Sequence, residues 1–290
     1  MTQLLVTVRN RENISRFADS YADGFIMADR QFSSSADCND LRECVRQAHS
    51  FNRKLYVRCD RLYEQQELPE LKKFLMMLDE IKADGIIYSD IGVFKLMGQL
   101  GISCQGIYAP ETLLTNYYDI EDIKNDGVDG CVISKDIPLQ DVYDIAERCP
   151  DYCFVRIHGP ILIAYSRRRY ISSYLQKEEE YTDGYFLQEE TRSTLLPIIE
   201  KKEGSWLYGT VLQSLSVFNE MLQKPFRGFI IDNICEDDQQ TLRILELYKE
   251  AALGKQQGAL ALGKLLKENS DKEYTAIEDV RKTWLDKEQA

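Results

Sequence analysis

The sequence is poor in the residues and motifs that usually carry hydrolytic or metal chemistry. Only two histidines occur among 290 residues, and the eight cysteines form no C-x-x-C pair. HExxH, Walker and GxSxG motifs are also absent, which removes the local signatures of zinc proteases, nucleotide-binding loops and serine hydrolases. Two distant histidines fall short of the three protein ligands that a catalytic zinc usually takes. We therefore expect no metal site in this chain.

Positive charge and long apolar runs are scarce as well. The chain has 36 Lys and Arg residues but 48 Asp and Glu residues, so its net charge is −12. This balance argues against a protein that coats nucleic acid or an anionic membrane with its whole surface. No apolar run approaches the roughly 18 to 20 residues that cross a bilayer, and no signal-peptide pattern is recognisable at the first residues. We expect a cytoplasmic protein without a membrane partner, whose scattered cysteines are reduced and mostly buried.

Short β-branched runs alternate with longer amphipathic segments along the chain. The runs are Leu4–Val8, Gly24–Ala28, Lys54–Cys59, Gly85–Ser89, Ser103–Tyr108, Gly130–Ser134, Cys153–His158 and Gly228–Asp232. Most are nearly continuous in hydrophobicity, as is typical of strands that are buried on both faces. Eight such strands over roughly 250 residues predict a (β/α)8 barrel of the TIM type. An open doubly wound sheet is the alternative, but the GxGxxG turn that usually follows its first strand is absent.

The domain organisation follows from the spacing of these runs. Residues 1–253 are predicted to form the barrel, with an insertion at 160–227 between strands seven and eight, and residues 254–290 a helical C-terminal tail anchored by Trp284. A plain connection needs only about 20 to 30 residues. The insertion should therefore emerge at the C-terminal face, where barrel active sites are built. Helices are predicted from their periodicity at Asp37–Phe51, Leu68–Ala83, Leu139–Arg148, Thr210–Leu222 and Asp238–Leu253.

Candidate site residues surround the predicted end of strand seven. His158 closes this strand and should lie at the barrel mouth, where it could be catalytic or merely hydrogen-bonded at the rim. Arg167, Arg168 and Arg169 follow, and three guanidinium groups could bind a carboxylate, a phosphate or an RNA backbone. They could equally form a solvated turn that pairs with the acidic run Glu178–Glu180.

Aspartates follow three of the other predicted strands. Asp90, Asp136 and Asp232 would each face the barrel mouth. Such acids can orient a ligand, but they also cap the helix that begins after the strand.

Several stretches together resemble the collagenase-like peptidases of family U-32. HGPILIAYSRRRYISSYL at 158–175 is similar to the family signature H-G-x-x-C-x-x-Y-S-G-x-C-x-x-S-x-Y, and SDIGV (89–93), TLLTN (112–116) and SKDI (134–137) follow in the family's order and spacing. The resemblance covers most of residues 4–253 and implies a TIM-type barrel. Tyr165 and Ser166 retain the family pattern and join the three arginines and Asp90 as candidate ligand-binding residues.

The chain departs from the family at the positions of the cluster cysteines. Leu162 and Arg169 replace the first two, Phe186 replaces the third, and the fourth falls at Glu189 or Glu190. In members that carry these cysteines, the four thiolates hold an iron–sulfur cluster, and Leu, Arg, Phe and Glu cannot replace them. IIDNI at 230–234 also stands where the family has an E-G-R element. The resemblance thus implies a chain without a cluster, and leaves open whether it is catalytic by itself.

The resemblance also suggests a function. Some family members are implicated in RNA or quinone hydroxylation, and a short, cysteine-poor member works with a longer one in prephenate-dependent formation of 5-hydroxyuridine at the tRNA wobble position. The implied role is that of a cluster-free subunit that supports a longer, cluster-bearing paralogue. tRNA would bind through the complex, since a net charge of −12 favours only weak tRNA binding by this chain alone. A peptidase that uses His158 and a barrel that clamps a small carboxylate with Arg167–Arg169 remain the alternatives.

Overall fold

A closed parallel barrel forms the body of the protein. The computed structural model describes residues 2–34, 38, 40–177, 181–188, 195–232, 234–270 and 272–280. The barrel strands are β1 (Gln3–Thr7), β2 (Gly24–Ala28), β3 (Lys54–Cys59), β4 (Gly85–Tyr88), β5 (Gln105–Tyr108), β6 (Gly130–Val132), β7 (Cys153–Ser166) and β11 (Gly228–Ile231). They pair in parallel in this order, and β11 also pairs with β1, which closes the ring. The predicted (β/α)8 barrel is confirmed: each of the eight strands overlaps its predicted run, although β7 extends beyond the predicted end at His158.

Helices cover the outside of the barrel. They are α1 (Ile14–Ala18), α2 (Leu41–Ser50), α3 (Leu68–Glu80), α4 (Ile91–Leu100), α5 (Tyr117–Asn125), α6 (Leu139–Arg148), α8 (Phe218–Met221) and α9 (Asp238–Ala251), while α7 (Tyr170–Leu175) belongs to the insertion. Helix α2 begins later than predicted, because the carboxylate of Asp40 accepts a hydrogen bond from the backbone N–H of Glu43 and caps it. The predicted first residue, Asp37, lies outside the described residues.

Two apolar layers hold the barrel together. The interior is filled by side chains from alternate strand positions: Leu5, Ile26, Tyr56, Ile87, Ile107, Ala109, Val132, Phe154 and Ile230. The intervening positions face outward and pack beneath the helices in a larger cluster. Because both faces of every barrel strand are covered, the strand sequences read as continuous apolar runs rather than alternating ones.

The insertion builds a second sheet, which the sequence analysis did not predict. Strand β7 does not end at His158 but runs on to Ser166, where it pairs antiparallel with β10 (Gly204–Gln213). β9 (Leu195–Lys201) and β8 (Tyr181–Gln188) extend this sheet. Gly159 allows the continuation, because it has a φ of +134° and a Cβ there would lie 2.1 Å from the carbonyl oxygen of Asp232.

One predicted helix is wrong. Thr210–Leu222 forms the end of β10 and the four-residue α8, because its apolar residues fit a strand period as well as a helical one and pairing with β7 decides the outcome. In the tail, α10 (Lys255–Glu268) packs on α8 and α9, and β12 (Tyr274–Ala276) then pairs with β10. Trp284 lies outside the described residues. Within the described ranges, no helix is long and apolar enough to cross a membrane.

Candidate functional site

A network of buried and partly buried charges occupies the C-terminal end of the barrel. The guanidinium of Arg58 on β3 donates to the carboxylate of Asp232 and, at 3.2 Å, to the hydroxyl of Thr7, which itself donates to Asp232 at 2.9 Å. Arg156 on β7 donates from both terminal nitrogens to the two oxygens of Glu111, at 3.1 and 2.6 Å. Its Nη2 also lies 3.5 Å from Asp232. We refer to these residues, with Asp60 and Lys135, as the mouth network.

Asp60 and Lys135 complete the balance of charge. Lys135 Nζ lies 3.7 Å from Glu111, and Arg58 Nη1 lies 3.8 Å from Asp60. Asp60 also accepts hydrogen bonds from the hydroxyls of Ser33 and Ser34 and from the backbone N–H of Ser34. The three cations of the mouth network therefore face three carboxylates, and the network neutralises itself.

The pKa directions agree with an ionised network. Burial opposes ionisation of Asp232, but Arg58 and Arg156 outweigh it and hold the pKa of this carboxyl below its ordinary value. The side chain of Glu111 is partly exposed, and Arg156 and Lys135 likewise lower its pKa against the effect of burial. Glu111 has a φ of +64°, a backbone conformation that is costly for glutamate and persists only where its surroundings enforce it.

The second sheet covers the mouth network. Tyr208 of β10 is only 2 % exposed, and burial followed by the nearby Cys235, Asp60 and Asp232 raises its pKa. Lys201 at the end of β9 donates from Nζ to the carbonyl oxygen of Ser33 at 2.8 Å. Side chains of the second sheet thus lie over part of the barrel end where (β/α)8 proteins usually bind substrate, while Glu111 and Asp60 stay partly exposed.

His158 does not open onto the barrel mouth as expected. Its side chain is 1 % exposed and packs against the rings of Tyr248 on α9 and Tyr274 on β12. Nδ1 lies 3.5 Å from the hydroxyl of Tyr248. Burial, and then the charge of Lys272, lowers the pKa of His158 to about 3. The imidazole is therefore neutral at physiological pH.

The three consecutive arginines contact different partners. Arg167 lies 2.9 Å from Glu64 and 3.5 Å from Glu67, which belong to the loop between β3 and α3. Arg169 donates to Ser172 at 2.9 Å and lies 3.6 Å from Glu200 of β9. The side chain of Arg168 is exposed. The acidic run 178–180, which was expected to face them, lies outside the described residues.

Tyr165, Ser166 and Asp90 hold local structure in place. The ring of Tyr165 stacks on Trp206 of β10 at 4.9 Å. Ser166 accepts hydrogen bonds from the backbone N–H of Arg168 and the hydroxyl of Tyr170. Asp90 caps α4 by accepting from the backbone of Gly92, and it also accepts from the backbone of Tyr63. Asp136 lies at the exposed rim, 3.3 Å from Lys135.

A cleft of about 400 Å³ opens beside the covered mouth. Its walls include Phe32, Arg61, Tyr63, Glu67 and Arg167. Arg61 is almost fully buried, donates to Glu67 at 2.5 Å, and has a buried Nε without a hydrogen-bond partner. Of the sequence candidates named above, Arg167 is the one that lines this cleft.

Sequence reasoning missed the arginines of the barrel interior. Arg58 stands in the strand LYVRC and Arg156 in CFVRIH, and both runs are otherwise apolar or aromatic. A charged residue in the middle of a buried strand must be paired. That signal was available in the sequence, but it cannot say which acid provides the partner.

The positions of the lost cysteines do not fit an iron–sulfur cluster. Leu162 packs beside the cluster of Ile199 and Trp206, Arg169 is held by Glu200, and Phe186 is exposed on β8. Glu189 and Glu190 lie outside the described residues. Apolar side chains and a guanidinium cannot supply thiolates. In the described part of the chain, no group of three or more His, Cys, Asp and Glu side chains is arranged to hold a metal ion.

The fold and this mouth define a (β/α)8 barrel whose C-terminal face carries a second sheet. The model of peptidase family U32 matches residues 12–281, and the chain belongs to this family.

Two curated relatives come from one organism, Bacillus subtilis (strain 168). The tRNA hydroxylation protein P2 is 21 % identical over 262 residues, which cover 86 % of this chain and 85 % of that protein. The tRNA hydroxylation protein P1 is 21 % identical over 187 residues, which cover 63 % of this chain but only 44 % of that protein.

Solved structures support the fold. The U32 peptidase Mk0906 superposes with a TM-score of 0.51 at 13 % identity, covering 80 % of this chain and 92 % of that one. Phosphoribosyl anthranilate isomerase from Thermotoga maritima has a TM-score of 0.50 at 10 % identity, over 88 % of this chain and 100 % of its own. At these identities the likeness is one of architecture.

Proposed function

We propose that this chain is a cluster-free subunit that supports hydroxylation of the tRNA wobble uridine together with a longer, cluster-bearing member of its family. The observation that carries the proposal is the match to the tRNA hydroxylation protein P2, which extends over most of both chains. The protein P1 of the same organism matches over less than half of its length, as expected if a longer family member works beside a shorter one.

The mouth network favours a supporting role over independent catalysis. Its three cations are already paired with three carboxylates, and the buried Tyr208 of the second sheet lies near Arg58 and Arg156. A charged substrate would have to compete with the internal ion pairs, and unpairing a buried charge costs several kcal/mol, roughly 3 to 5. A redox centre and its co-substrate, prephenate by the family resemblance, would then belong to the partner.

The cleft favours small-carboxylate binding as a second candidate. Arg167 and Arg61 line it beside the aromatic rings of Phe32 and Tyr63. Both arginines are already paired with Glu67, so a carboxylate ligand would compete with that residue. The peptidase alternative gains no support from His158, which is buried between Tyr248 and Tyr274.

Nucleoside mass spectrometry of tRNA tests the proposed function. A strain that lacks this gene should lose the nucleosides derived from 5-hydroxyuridine, and a plasmid-borne copy should restore them. Unchanged nucleosides in the deletion strain would refute the proposal. The matched control is deletion of the cluster-bearing relative, which should give the same loss if the two proteins act together.

A further inference from the structure

Glu111 of the mouth network lies at the centre of a strained turn. It belongs to the loop 109–116 between β5 and α5, and the backbone N–H of Thr112 donates to the carbonyl oxygen of Pro110 at 2.7 Å. This bond closes a three-residue γ-turn around Glu111, whose φ is +64°. A γ-turn with a positive central φ is rare and strained, and such strain persists where the surrounding contacts compensate it. The contacts of the Glu111 side chain are therefore what holds this turn.

These contacts are the ones that a cationic site makes with a free carboxylate. Both terminal nitrogens of Arg156 donate to the two oxygens of Glu111, at 3.1 and 2.6 Å, in the bidentate arrangement that guanidinium groups form with carboxylates. The Nζ of Lys135 lies 3.7 Å from one of the same oxygens. Arg156 is part of barrel strand β7, and Lys135 follows β6. The barrel thus supplies the two cations, and a loop supplies the carboxylate.

Glu111 is the most exposed of the three carboxylates in the mouth network. Its side chain is 24 % exposed, against 18 % for Asp60 and 6 % for Asp232. Asp60 and Asp232 also accept hydrogen bonds from neighbouring hydroxyl groups. In the described part of the chain, the carboxylate of Glu111 accepts hydrogen bonds from Arg156 alone. Glu111 is therefore the carboxylate that solvent reaches most easily and that leaves with the fewest broken bonds.

A second carboxylate can replace Glu111 without leaving a buried charge unpaired. When Glu111 is removed, the mouth network has three cations and two carboxylates, an excess of one positive charge. A carboxylate group carries one negative charge and can accept both bonds from Arg156, so the penalty for an unpaired ion does not arise. The Nε of Arg156 is buried and has no hydrogen-bond partner among the described residues. The guanidinium therefore has one more donor than Glu111 uses.

We propose that Glu111 is an internal ligand of an anion site at the barrel mouth, and that the carboxylate group of a small molecule takes its place on Arg156 and Lys135. Release of Glu111 lets the γ-turn relax, which favours the exchange. The site shares no lining residue with the cleft beside Arg61 and Arg167. Binding of this kind does not depend on the proposed role in tRNA hydroxylation.

Isothermal titration calorimetry of the full-length chain with malonate tests this site, with the uncharged malonamide as the matched control ligand. Glu111→Gln removes the competing charge and keeps the size of the side chain. Malonate should bind to this variant at least about tenfold more tightly than to the wild type, whose affinity is reduced by the small fraction of molecules in which Glu111 has left. Glu111→Gly, which also suits the positive φ, should give a similar gain. Glu121→Gln should leave the affinity unchanged, because Glu121 pairs with Arg148 at the surface.

A third variant and hydrogen exchange separate displacement of Glu111 from other effects. Lys135→Met, added to Glu111→Gln, should reverse most of the gain, because it removes one of the two cations that hold the ligand. In the wild type, malonate should speed exchange at the amide of Thr112, since release of Glu111 opens the γ-turn. Equal affinity of the wild type and both Glu111 variants for malonate, with circular dichroism showing all of them folded, would overturn the proposal. A gain in Glu67→Gln instead would place the ligand in the cleft and would overturn it as well.

Discussion

Arg58 and Asp232 form an ion pair inside the barrel, although they lie 174 residues apart in the chain. Both side chains are almost fully buried, and Thr7 and Arg156 contact the same carboxylate. The pair therefore connects β1, β3 and β7 to the residue that follows β11. Contacts to the single carboxylate of Asp232 therefore link the first and last strands of the barrel.

Breaking this pair should destabilise the fold strongly. Arg58→Met leaves the carboxylate of Asp232 with fewer donors, and unpairing a buried charge costs about 3 to 5 kcal/mol. The free energy of unfolding from urea titration checks this. Arg42→Met is the control, since Arg42 pairs with Glu80 at the surface and both side chains are more than half exposed, and its loss should be much smaller. Equal losses in the two variants would contradict the structural role of the pair.

His158 should make stability depend on pH above the range of the carboxylates. Its pKa is about 3 in the folded protein, below the ordinary value of about 6.5, so the unfolded chain binds the extra proton first as pH falls. Stability should therefore decline as pH drops from about 6.5, by up to about 1.4 kcal/mol per pH unit. The lowered pKa values of Asp232 and Glu111 act in the same direction but at lower pH, since their contribution is present above the ordinary carboxyl pKa and is lost as pH falls below it.

Urea titrations at pH 7 and pH 5 measure this dependence. His158→Gln should abolish most of the difference between the two pH values, while His49→Gln, at an exposed site beside Asp84, should keep it. A wild-type protein equally stable at both pH values would show that His158 is not buried in its neutral form.

Gly159 should be irreplaceable, whereas Gly263 should not. A Cβ at Gly159 would lie 2.1 Å from the carbonyl oxygen of Asp232, and its φ of +134° strains any other residue. Gly159→Ala should destabilise the protein by well over about 1 kcal/mol. Gly263 lies within α10 with open space around it, so Gly263→Ala should stabilise by about 0.5 to 1 kcal/mol. Thermal unfolding of the two variants checks the contrast, and a neutral effect at Gly159 would contradict the close passage of β7 past Asp232.

The purified chain should hold no iron–sulfur cluster. Leu162, Arg169 and Phe186 stand at three of the cysteine positions and offer no thiolate. Iron and acid-labile sulfide, assayed after anaerobic purification, should be far below one atom per chain. The cluster-bearing relative, prepared in parallel, is the positive control. Stoichiometric iron and sulfide in this chain would refute a cluster-free subunit.

The barrel could be predicted because its strands carry their own signal. Runs such as GIIYS and GFIID are continuous in hydrophobicity, and eight of them at barrel spacing leave few other folds. The second sheet could not be predicted in the same way. Its strands β8, β9 and β10 are long and mixed in polarity, and the segment 210–222 fits helix and strand periods alike.

The site was harder to predict than the fold, because the position of a residue along a strand does not determine which elements its side chain contacts. His158 was expected at the mouth, yet the pairing of β7 with β11 shifts register just before it, and its ring packs against α9. Arg58 and Arg156 were visible in the sequence, but their partners Asp232 and Glu111 come from distant segments. Such pairings depend on tertiary geometry, which a single sequence does not encode locally.

The closure of the barrel by β11 has a consequence for synthesis. One edge of β1, at Gln3–Val6, stays unpaired until Gly228–Ile231 of β11 has been synthesised. A growing chain on the ribosome would carry β1 to β7 as a curved sheet with two open apolar edges until more than three quarters of the protein has been made. Contacts of such long sequence separation form slowly and leave the nascent chain prone to aggregation. The edges of β1 and β7 are therefore the parts of the nascent chain most exposed to wrong pairing until the eighth barrel strand has emerged.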